Sequence, residues 1–309
     1  MEKKVSNYLI IGCGDIGFRV ARELIKQNHQ VQATIHFAEG AKVPQSAGIK
    51  TIIANFDYQE DVPELPLRGK NVFYFMPPQG GGSSDYRMLN FCRKLSADNY
   101  PAKMVYISTS GVYGDCGDTL VTEETPLNPM TSRAKRRVSA ESQLREQADK
   151  FDFELIILRV TGIYGPGRLP ISQLQKGHEV LIEEDAPRTN RIHSLDLVQI
   201  CLAAMEKGED GDIFNVCDGE ESSMSQYFTA VAELYGFPPP QQLSWVEAEK
   251  VMNPLTFSFL KESRRMSNQK MVEMLDIKLQ YPTLEKGLRA SQSISDLNVD
   301  IDSEVETKN

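Results

Sequence analysis

The clearest chemical feature of the sequence is a glycine-rich loop that consists of Gly12, Cys13, Gly14, Asp15, Ile16 and Gly17. It follows an apolar run and precedes an amphipathic helical pattern, the context in which the spacing G-x-G-x-x-G is typical of dinucleotide binding. The first glycine permits a tight turn, the second lets the backbone approach a pyrophosphate, and the third lets helix and strand pack closely. Backbone N–H groups and the helix dipole would then stabilise the phosphates. The loop predicts a site for NADP or NAD, and a glycine-rich turn without a ligand is the alternative.

The position that distinguishes NAD from NADP lies about 20 residues further on, where NAD enzymes place Asp or Glu against the ribose. Here the chain has Ile35 and His36, and no acid. Because an acid would repel a 2′-phosphate, its absence favours NADP slightly. His36 is therefore a predicted cofactor contact, and Arg19 and Lys42 are further donors near this end. A strand end that faces solvent is the alternative reading of His36.

These residues need a rigid scaffold, and the first half of the chain alternates short apolar runs with helical patterns. Such alternation is typical of parallel βαβ units. We predict strands at residues 8–12, 30–36, 50–54, 71–76, 103–108 and 154–158, and helices at 18–28, 132–150, 196–206 and 225–235. The predicted fold is an α/β, doubly wound parallel Rossmann sheet with a smaller C-terminal substrate lobe.

The pattern also predicts how the chain is divided. Residues 1–167 form the NAD(P)-binding Rossmann domain, and residues 191–218 return to it. Residues 168–290 form the substrate-binding lobe. Residues 291–309 are acidic and have too few apolar side chains to fold alone, so we expect a disordered tail.

Composition excludes several classes of function. The net charge of −9 makes nucleic acid and anionic membranes poor partners. No apolar run approaches the roughly 18 residues that a membrane-spanning helix needs. The five cysteines form no C-x-x-C pair and the four histidines do not cluster, so no metal site is expected. Scattered free thiols predict a cytoplasmic protein.

Several further segments resemble the short-chain dehydrogenase/reductase superfamily, specifically its extended NAD-dependent epimerase/dehydratase family. They are Asn-Phe-Asp at 55–57, Tyr-Ile-Ser-Thr-Ser-Gly-Val-Tyr-Gly at 106–114, and the segments 158–168, 191–196 and 212–219. The resemblance runs from about residue 8 to residue 237. It implies that Asp57 lies at the adenine and that the substrate is a small, phosphorylated or nucleotide-sugar metabolite.

In this family a Ser or Thr, a Tyr, and a Lys four residues after the Tyr carry the catalysis. The Tyr is the acid/base, and the Lys lowers its pKa and binds the ribose. The resemblance places Thr109 at the position of the catalytic Ser or Thr. When the helix is aligned with the family at Glu141, Arg133 stands at the position of the catalytic Tyr and Arg137 at the position of the Lys.

This replacement changes the chemistry, because a guanidinium cannot shuttle a proton near neutral pH. It can stabilise an oxyanion or bind a phosphate or ribose. A solvated basic helix face is the alternative for both arginines. Ser110 and Gly111 stand where the 4,6-dehydratases have Asp-Glu, so that activity is not expected.

The sequence is most similar to the atypical branch that includes the YeeZ-like proteins. A loop at 77–84, which begins at Pro77 and is rich in glycine, replaces the usual pair of alanines. It could close over the cofactor, or it could be an ordinary mobile loop. On the substrate side the resemblance favours Arg168, Arg188 and Arg191 as anion-binding residues, whereas a structural role is the more common one for His193.

Two hypotheses follow. The first is an atypical NAD(P)-dependent oxidoreductase or epimerase acting on a carbonyl or hydroxyl carbon. Its proton transfer would fall to water or to Tyr113, Tyr164 or His193. The second is a non-catalytic dinucleotide sensor or scaffold. The resemblance also implies a homodimer formed through residues 132–150.

Overall fold

The computed structural model describes residues 5–292, apart from the side chains of residues 255 and 259. Its strands are β1 (Asn7–Ile11), β2 (Gln30–Ile35), β3 (Lys50–Ile53), β4 (Asn71–Tyr74), β5 (Lys103–Thr109), β6 (Leu120–Val121), β7 (Glu154–Val160), β8 (Gly162–Tyr164), β9 (Val180–Leu181), β10 (Arg191–His193), β11 (Ile213–Val216), β12 (Gln242–Leu243) and β13 (Arg265–Met266). Its helices are α1 (Asp15–Lys26), α2 (Lys42–Ser46), α3 (Tyr86–Cys92), α4 (Ser132–Phe151), α5 (Ile171–Gln175), α6 (Ser194–Lys207), α7 (Met224–Leu234), α8 (Trp245–Val251), α9 (Pro254–Leu260) and α10 (Gln269–Leu275). Residues 284–292 are also helical.

The main sheet has seven parallel strands in the order β3-β2-β1-β4-β5-β7-β11. The chain winds outward from β1 to β3, then crosses back to β4 on the other side of β1. This reversal is the topological switch point of a doubly wound fold, and ligands bind outside the carboxyl ends of the strands there. The predicted fold class is confirmed.

Both faces of the sheet are buried, which explains why its strands read as continuous apolar runs. Alternate residues of β1 point to opposite faces. Ile10 packs with α1 and α6 on one face, and Leu9 and Ile11 pack towards α3 and α4 on the other. The phosphate loop therefore begins at the end of a strand that is fixed from both sides.

Small two-stranded parallel pairs lie outside the main sheet, β8 with β10, β6 with β13, and β9 with β12, of which the last belongs wholly to the C-terminal lobe. A cluster that includes Tyr164, Tyr227 and Phe228 forms part of its core. β11 pairs with β7 at the edge of the main sheet, whereas the division of the chain into domains stays a prediction. Ser291 is buried in the last helical segment, and the rest of the predicted tail, residues 293–309, lies outside the described residues.

The long elements agree with the sequence patterns to within a few residues. One difference concerns the site itself. The first long helix begins at Asp15, not at Phe18, because Gly14 is its N-cap and the end of the phosphate loop is already the first helical turn. The short helices α2 and α3 were not predicted, since neither is long enough to show a clear helical period.

Candidate functional site

A cleft of about 580 Å³ opens at the carboxyl ends of β1, β2 and β4. Most of the residues predicted to bind a cofactor line it: Gly12, Cys13, Gly14, Asp15, Ile16, Gly17, His36, Asp57, Pro77 and Arg137. Arg168 lines the same cleft. The structure thus brings together residues from both ends of the predicted Rossmann domain.

The three glycines of the phosphate loop have different steric surroundings. Gly12 has a φ of +88°, and a Cβ on it would lie 2.8 Å from the backbone nitrogen of Met76. A Cβ on Gly17 would lie 2.5 Å from the carbonyl oxygen of Gly12. A Cβ on Gly14 would meet no atom within 4 Å. Gly12 and Gly17 are therefore required by the fold, whereas the space beside Gly14 is open to a ligand.

Strand β2 fixes the loop from one side. The backbone N–H of Gly12 donates to the hydroxyl of Thr34 at 2.9 Å, and the N–H of Cys13 donates to the carbonyl of Thr34 at 3.2 Å. Burial raises the pKa of the Cys13 thiol to about 11. Cys13 therefore stays a neutral thiol near neutral pH and adds no negative charge beside the phosphate site.

Asp15 carries the one carboxylate of the loop, and two arginines contact it. Arg19 donates to Oδ1 at 2.6 Å and Arg168 donates to Oδ2. Burial acts to raise the pKa of Asp15, but the hydrogen bonds from Arg168 and Arg19 outweigh it and hold the pKa below its usual value. Arg168, predicted from the resemblance to bind substrate, lies instead at the phosphate loop, because the turn after β8 folds back onto the start of α1.

The end of the cleft beside β2 contains an ion pair between Arg87 and Asp57. The arginine donates from Nε to Oδ1 at 2.6 Å and from Nη2 to Oδ2 at 2.9 Å, and it also donates to the carbonyl of Pro77 at 3.0 Å. Hydrogen bonding by Arg87 lowers the pKa of Asp57. His36 is exposed at the end of β2 and stacks on Phe37, with 3.9 Å between ring centroids. Arg87 was not predicted as a site residue, since no spacing in the sequence relates α3 to residue 57.

Arg137 occupies the other end of the cleft. Its guanidinium donates to the carbonyl of Ile107 at 2.9 Å and to the hydroxyl of Tyr106 at 3.2 Å. Tyr106 is buried, and burial raises the pKa of its phenol to about 12. Arg137 is thus held against the end of β5 by two acceptors, and its charge faces the cleft.

Thr109 and Arg133 lie just beyond this end. Thr109 is two residues after Ile107 on β5, so both side chains point to the same side of the sheet. Its hydroxyl accepts from the N–H of Gly111 at 3.3 Å. Arg133 is one helical turn before Arg137 on the same face of α4, and it donates to the hydroxyl of Ser258 on α9 at 3.2 Å. Neither belongs to the lining of the cleft, and the prediction that Thr109 contacts the cofactor stays a prediction.

A buried ion pair sets the position of α4 against the sheet. Glu141 is 0 % exposed and Arg159 on β7 is 3 % exposed, and they share two hydrogen bonds, one at 2.9 Å and one at 3.2 Å. Ser108 on β5 also donates to Glu141. Because Glu141 is bound to two strands, the register of α4, and with it the placement of Arg133 and Arg137, is fixed.

The glycine-rich loop at 77–84 is held in one conformation at two points. Arg136 on α4 donates to the carbonyl oxygens of Gly81 and Gly82, at 3.0 and 2.8 Å. The amide of Gln79 bonds the carbonyl of Ser84 and the N–H of Tyr86. The loop therefore lies against α4 at the rim of the cleft.

The three groups proposed as unusual proton donors are all buried away from the cleft. The hydroxyl of Tyr113 bonds Asn215 at 2.7 Å and Arg159 at 2.9 Å. Burial raises the pKa of Tyr164, whose ring packs against His193. His193 is 0 % exposed, and burial lowers its pKa to about 4. None of them can exchange a proton with a ligand in the cleft without a rearrangement, because each side chain is enclosed by its own neighbours.

The predicted substrate arginines 188 and 191 have different surroundings. Arg188 is exposed, and its backbone pairs with residues 263 and 264. Arg191 is 6 % exposed, lies 3.9 Å from the ring centroid of Tyr227, and donates to the carbonyl of Ser223 at 3.3 Å. The prediction that Arg191 binds substrate is not supported by this position, since burial at the start of β10 turns its guanidinium into the lobe core.

Residues 5–292 contain neither a candidate membrane span nor a candidate metal site. No helix in this part of the chain is long and apolar enough to cross a membrane. No group of three or more His, Cys, Asp or Glu side chains there is placed to hold a metal ion.

Comparison with known proteins gives a match to the model of the NAD dependent epimerase/dehydratase family over residues 83–217. The resemblance described from the sequence is thereby confirmed. The phosphate loop lies outside the matched residues, so its assignment depends on its own geometry.

Two curated relatives and one solved structure extend this match. Protein YeeZ from Escherichia coli is 25% identical over 77% of this chain and 86% of its own length. The dTDP-D-glucose 4,6-dehydratase of Mus musculus is 29% identical over 43% of this chain, and the chain spans only 39% of that protein. The structure of a conserved protein of unknown function from Silicibacter pomeroyi DSS has a TM-score of 0.78 at 28% identity, covering 94% of this chain and 99% of the other.

Proposed function

We propose, from the match of residues 83–217 to the model of the NAD dependent epimerase/dehydratase family, that this chain is an NAD(P)-dependent oxidoreductase or epimerase of atypical chemistry. It acts on a carbonyl or hydroxyl carbon of a small metabolite. The observation that supports the proposal is the cleft itself. Gly14 leaves open space there that a pyrophosphate would need, and the guanidinium of Arg137 offers positive charge to the rest of a dinucleotide.

The residues present fit a dinucleotide along the whole cleft. The N-terminus of α1 and the open space at Gly14 would accept the pyrophosphate, with Arg168 and Arg19 close by. Asp57 and Arg87 would hold the adenosine, and Arg137 would bind the ribose at the nicotinamide end. When bound, the nicotinamide ring supplies hydride donation or acceptance at the reacting carbon.

The chain's own residues would position the substrate and stabilise charge, but they would not transfer the proton. Thr109 would donate a hydrogen bond to the reacting oxygen, and Arg133 would stabilise negative charge on it. Since neither group can act as an acid near neutral pH, the proton would come from water or from the substrate itself.

Cofactor preference is a separate part of the proposal. We propose NADP over NAD, because the residue directly after β2 is an exposed histidine, His36, and not an acid. The variant His36→Asp should reverse the preference in fluorescence titrations with NADPH and NADH. A wild-type protein that binds NADH more tightly than NADPH would refute this part alone.

The experiment that tests the proposed function has two stages. Titration of the full chain with NADPH and NADH measures binding, and a panel of carbonyl compounds and nucleotide sugars then measures oxidation of the bound coenzyme. We expect saturable binding and turnover of at least one class of compound.

A non-catalytic sensor is the second candidate, and one observation favours it. Tyr113, Tyr164 and His193 are all enclosed by protein, which leaves no proton donor of ordinary pKa near Arg137 among them. Tight coenzyme binding with no turnover on the panel, together with a change in oligomeric state on binding, would support the sensor and refute the enzyme.

Homodimerisation through α4 stays a prediction. The exposed residues of this helix are polar, and they include Lys135, Glu146 and Asp149. Charged surfaces of this kind are depleted at the centres of stable interfaces. Light scattering of the full chain with and without NADPH measures the oligomeric state directly.

A further inference from the structure

After α10 the chain runs back over the pair formed by β8 and β10, and residues 284–292 form a helix there. The buried carboxylate of Asp196 in α6 fixes the start of this segment. It accepts the backbone N–H groups of Gln280 and Tyr281, one on each oxygen and both at 2.9 Å. Hydrogen bonds to an ionised acceptor are stronger than those between neutral groups. The helix at 284–292 therefore meets the strand pair in a defined position.

This helix packs directly on the ring of Tyr164 in β8. Its two leucines are buried in the apolar cluster to which Tyr164 belongs. A Cβ on Gly287 would overlap the phenol oxygen of Tyr164, so a glycine is needed for the helix to approach the ring. Ser291, one turn later, is also buried. The close approach brings Ser291 to β10.

His193 joins the helix to β10 through a hydrogen bond of defined direction. Its Nδ1 accepts the N–H of Leu195 at 3.3 Å, and the ring is neutral near neutral pH because burial lowers its pKa to about 4. The proton of the neutral ring is therefore on Nε2, which donates to the hydroxyl of Ser291 at 3.2 Å. That hydroxyl donates in turn to the carbonyl of Gly287 at 2.6 Å. The ring of Tyr281 packs on the imidazole with 4.0 Å between centroids, so the C-terminal segment holds His193 from two sides.

The same imidazole nitrogen faces the turn that carries Arg168. A Cβ on Gly165 would lie 3.2 Å from Nε2 of His193 and would overlap the hydroxyl of the residue after it, so no side chain fits between the ring and the turn. The carbonyl of Gly165 accepts the N–H of Arg168 at 2.9 Å. The carbonyl of Pro166 accepts from the guanidinium of Arg19 at 3.0 Å. Because such interiors are close-packed, a shift of the ring would displace the turn, and Arg168 with it.

We propose that His193 and Ser291 are positioning residues for the coenzyme, which hold the turn at 165–168 so that Arg168 is directed at the pyrophosphate. This inference rests on the proposed function, because it names residues that act on the same site. Neither residue lines the cleft, so both act through the turn. Docking of the helix at 284–292 and binding of the coenzyme are then coupled, and each stabilises the other by the same factor.

The first test is fluorescence titration of the full chain with NADPH, or with NADH if that coenzyme binds more tightly. Ser291→Ala removes the acceptor of the His193 proton and adds no volume, so it should weaken binding by about 3- to 10-fold. Lys286→Gln changes an exposed side chain of the same helix and should leave the affinity unchanged. Tyr281→Leu removes the ring contact on His193 and should weaken binding in the same way, and it decides the test if Ser291→Ala does not fold.

A double-variant cycle separates positioning from general destabilisation. In the Arg168→Gln background the residue to be positioned is absent. Ser291→Ala, or Tyr281→Leu in its place, should then weaken binding by no more than about twofold. A change that only loosened the fold would weaken binding equally in both backgrounds.

Hydrogen exchange followed by mass spectrometry measures the coupling from the other side. In the wild type, the amides of Gln280 and Tyr281 and those of residues 284–292 should exchange more slowly when coenzyme is bound. In Arg168→Gln at saturating coenzyme this protection should be smaller, because the turn no longer contributes a cation to the bound state.

Failure of this inference is distinguishable from failure of the proposed function. If the wild type binds neither coenzyme, the proposed function is wrong and the inference falls with it. If the wild type binds coenzyme and both Ser291→Ala and Tyr281→Leu bind it equally well, only the inference is overturned. An equal loss of affinity with and without Arg168, or exchange of residues 280–292 that coenzyme does not slow, would also overturn it.

Discussion

The guanidinium of Arg168 donates a hydrogen bond to the carboxylate of Asp15, which joins the turn after β8 to the first residue of α1. Arg19 contacts the other oxygen of the same carboxylate at 2.6 Å. Two cations therefore stand at the end of the helix where backbone N–H groups are also directed. The glycine-rich loop therefore has positive charge beside it from Arg168, from Arg19 and from the N-terminus of α1.

Arg168→Gln should weaken dinucleotide binding by about tenfold, which corresponds to about 1.4 kcal/mol. The reason is the loss of a charge-assisted contact that the guanidinium can make to the pyrophosphate. Fluorescence titration with NADPH measures the effect, and Arg68→Gln is the control. An unchanged affinity, with the salt dependence of binding also unchanged, would show that Arg168 serves only to hold Asp15.

Arg137→Met should weaken coenzyme binding more than Arg137→Lys, because methionine keeps the apolar stem but loses the charge and both hydrogen bonds. Lysine restores a point charge that can still reach the ribose. The comparison is made by titration with NADPH after the unfolding midpoint of each variant has been measured. Equal affinity of the two variants would contradict a role for the charge of Arg137.

The fold and the phosphate loop could be predicted from the sequence because they depend on local patterns. The apolar periodicity of β1 and the glycine spacing after it are both read within about 20 residues. The partners of Asp57 and Asp15 could not be predicted, since Arg87 and Arg168 reach them across 30 and 153 residues of chain. Such pairs depend on how loops fold back, which no local pattern encodes.

The arginines on the substrate side show the same limit. The resemblance selected Arg191 by its position in a motif, yet the residue is buried against Tyr227. Arg264 lies outside every segment that carried the resemblance, and its place is fixed by tertiary contacts with the carbonyl of Gly114 and the backbone of Arg188. A charged residue can be recognised in a sequence, but its exposure depends on tertiary packing.

Arg159→Met should lower the free energy of unfolding by about 3–5 kcal/mol, because it leaves Glu141 buried without its main partner. Urea denaturation followed by circular dichroism measures the change. The double variant Glu141→Gln/Arg159→Met should cost less than the sum of the two single changes, since no isolated charge is left. Additive effects would show that the two residues act independently.

His193 should make a contribution to stability that is lost on mild acidification. Its pKa in the folded protein is about 4, below the value of about 6.5 in an unfolded chain, so the unfolded state takes up the proton first. The contribution of His193 to the free energy of unfolding therefore decreases as the pH is lowered from about 6.5 towards about 4, by at most about 3 kcal/mol. Asp218, whose pKa burial raises to about 7, contributes in the opposite direction, so the effect of His193 is read from the difference between wild type and variant. His193→Gln should show a smaller decrease over this range, and the exposed His36→Gln should behave as wild type. An equal decrease in all three proteins would contradict this assignment.

The central claim is that the cleft at the carboxyl end of β1 binds a nicotinamide dinucleotide at Gly14. The most direct test is fluorescence titration of wild type and Gly14→Val with NADPH and NADH. A valine at this position meets no protein atom within 4 Å of its Cβ, so the variant should fold with an unchanged unfolding midpoint. We predict saturable binding to the wild type and a loss of affinity of about 100-fold or more in Gly14→Val. Equal affinity of the two proteins, or no binding of either coenzyme to the wild type, would contradict the account.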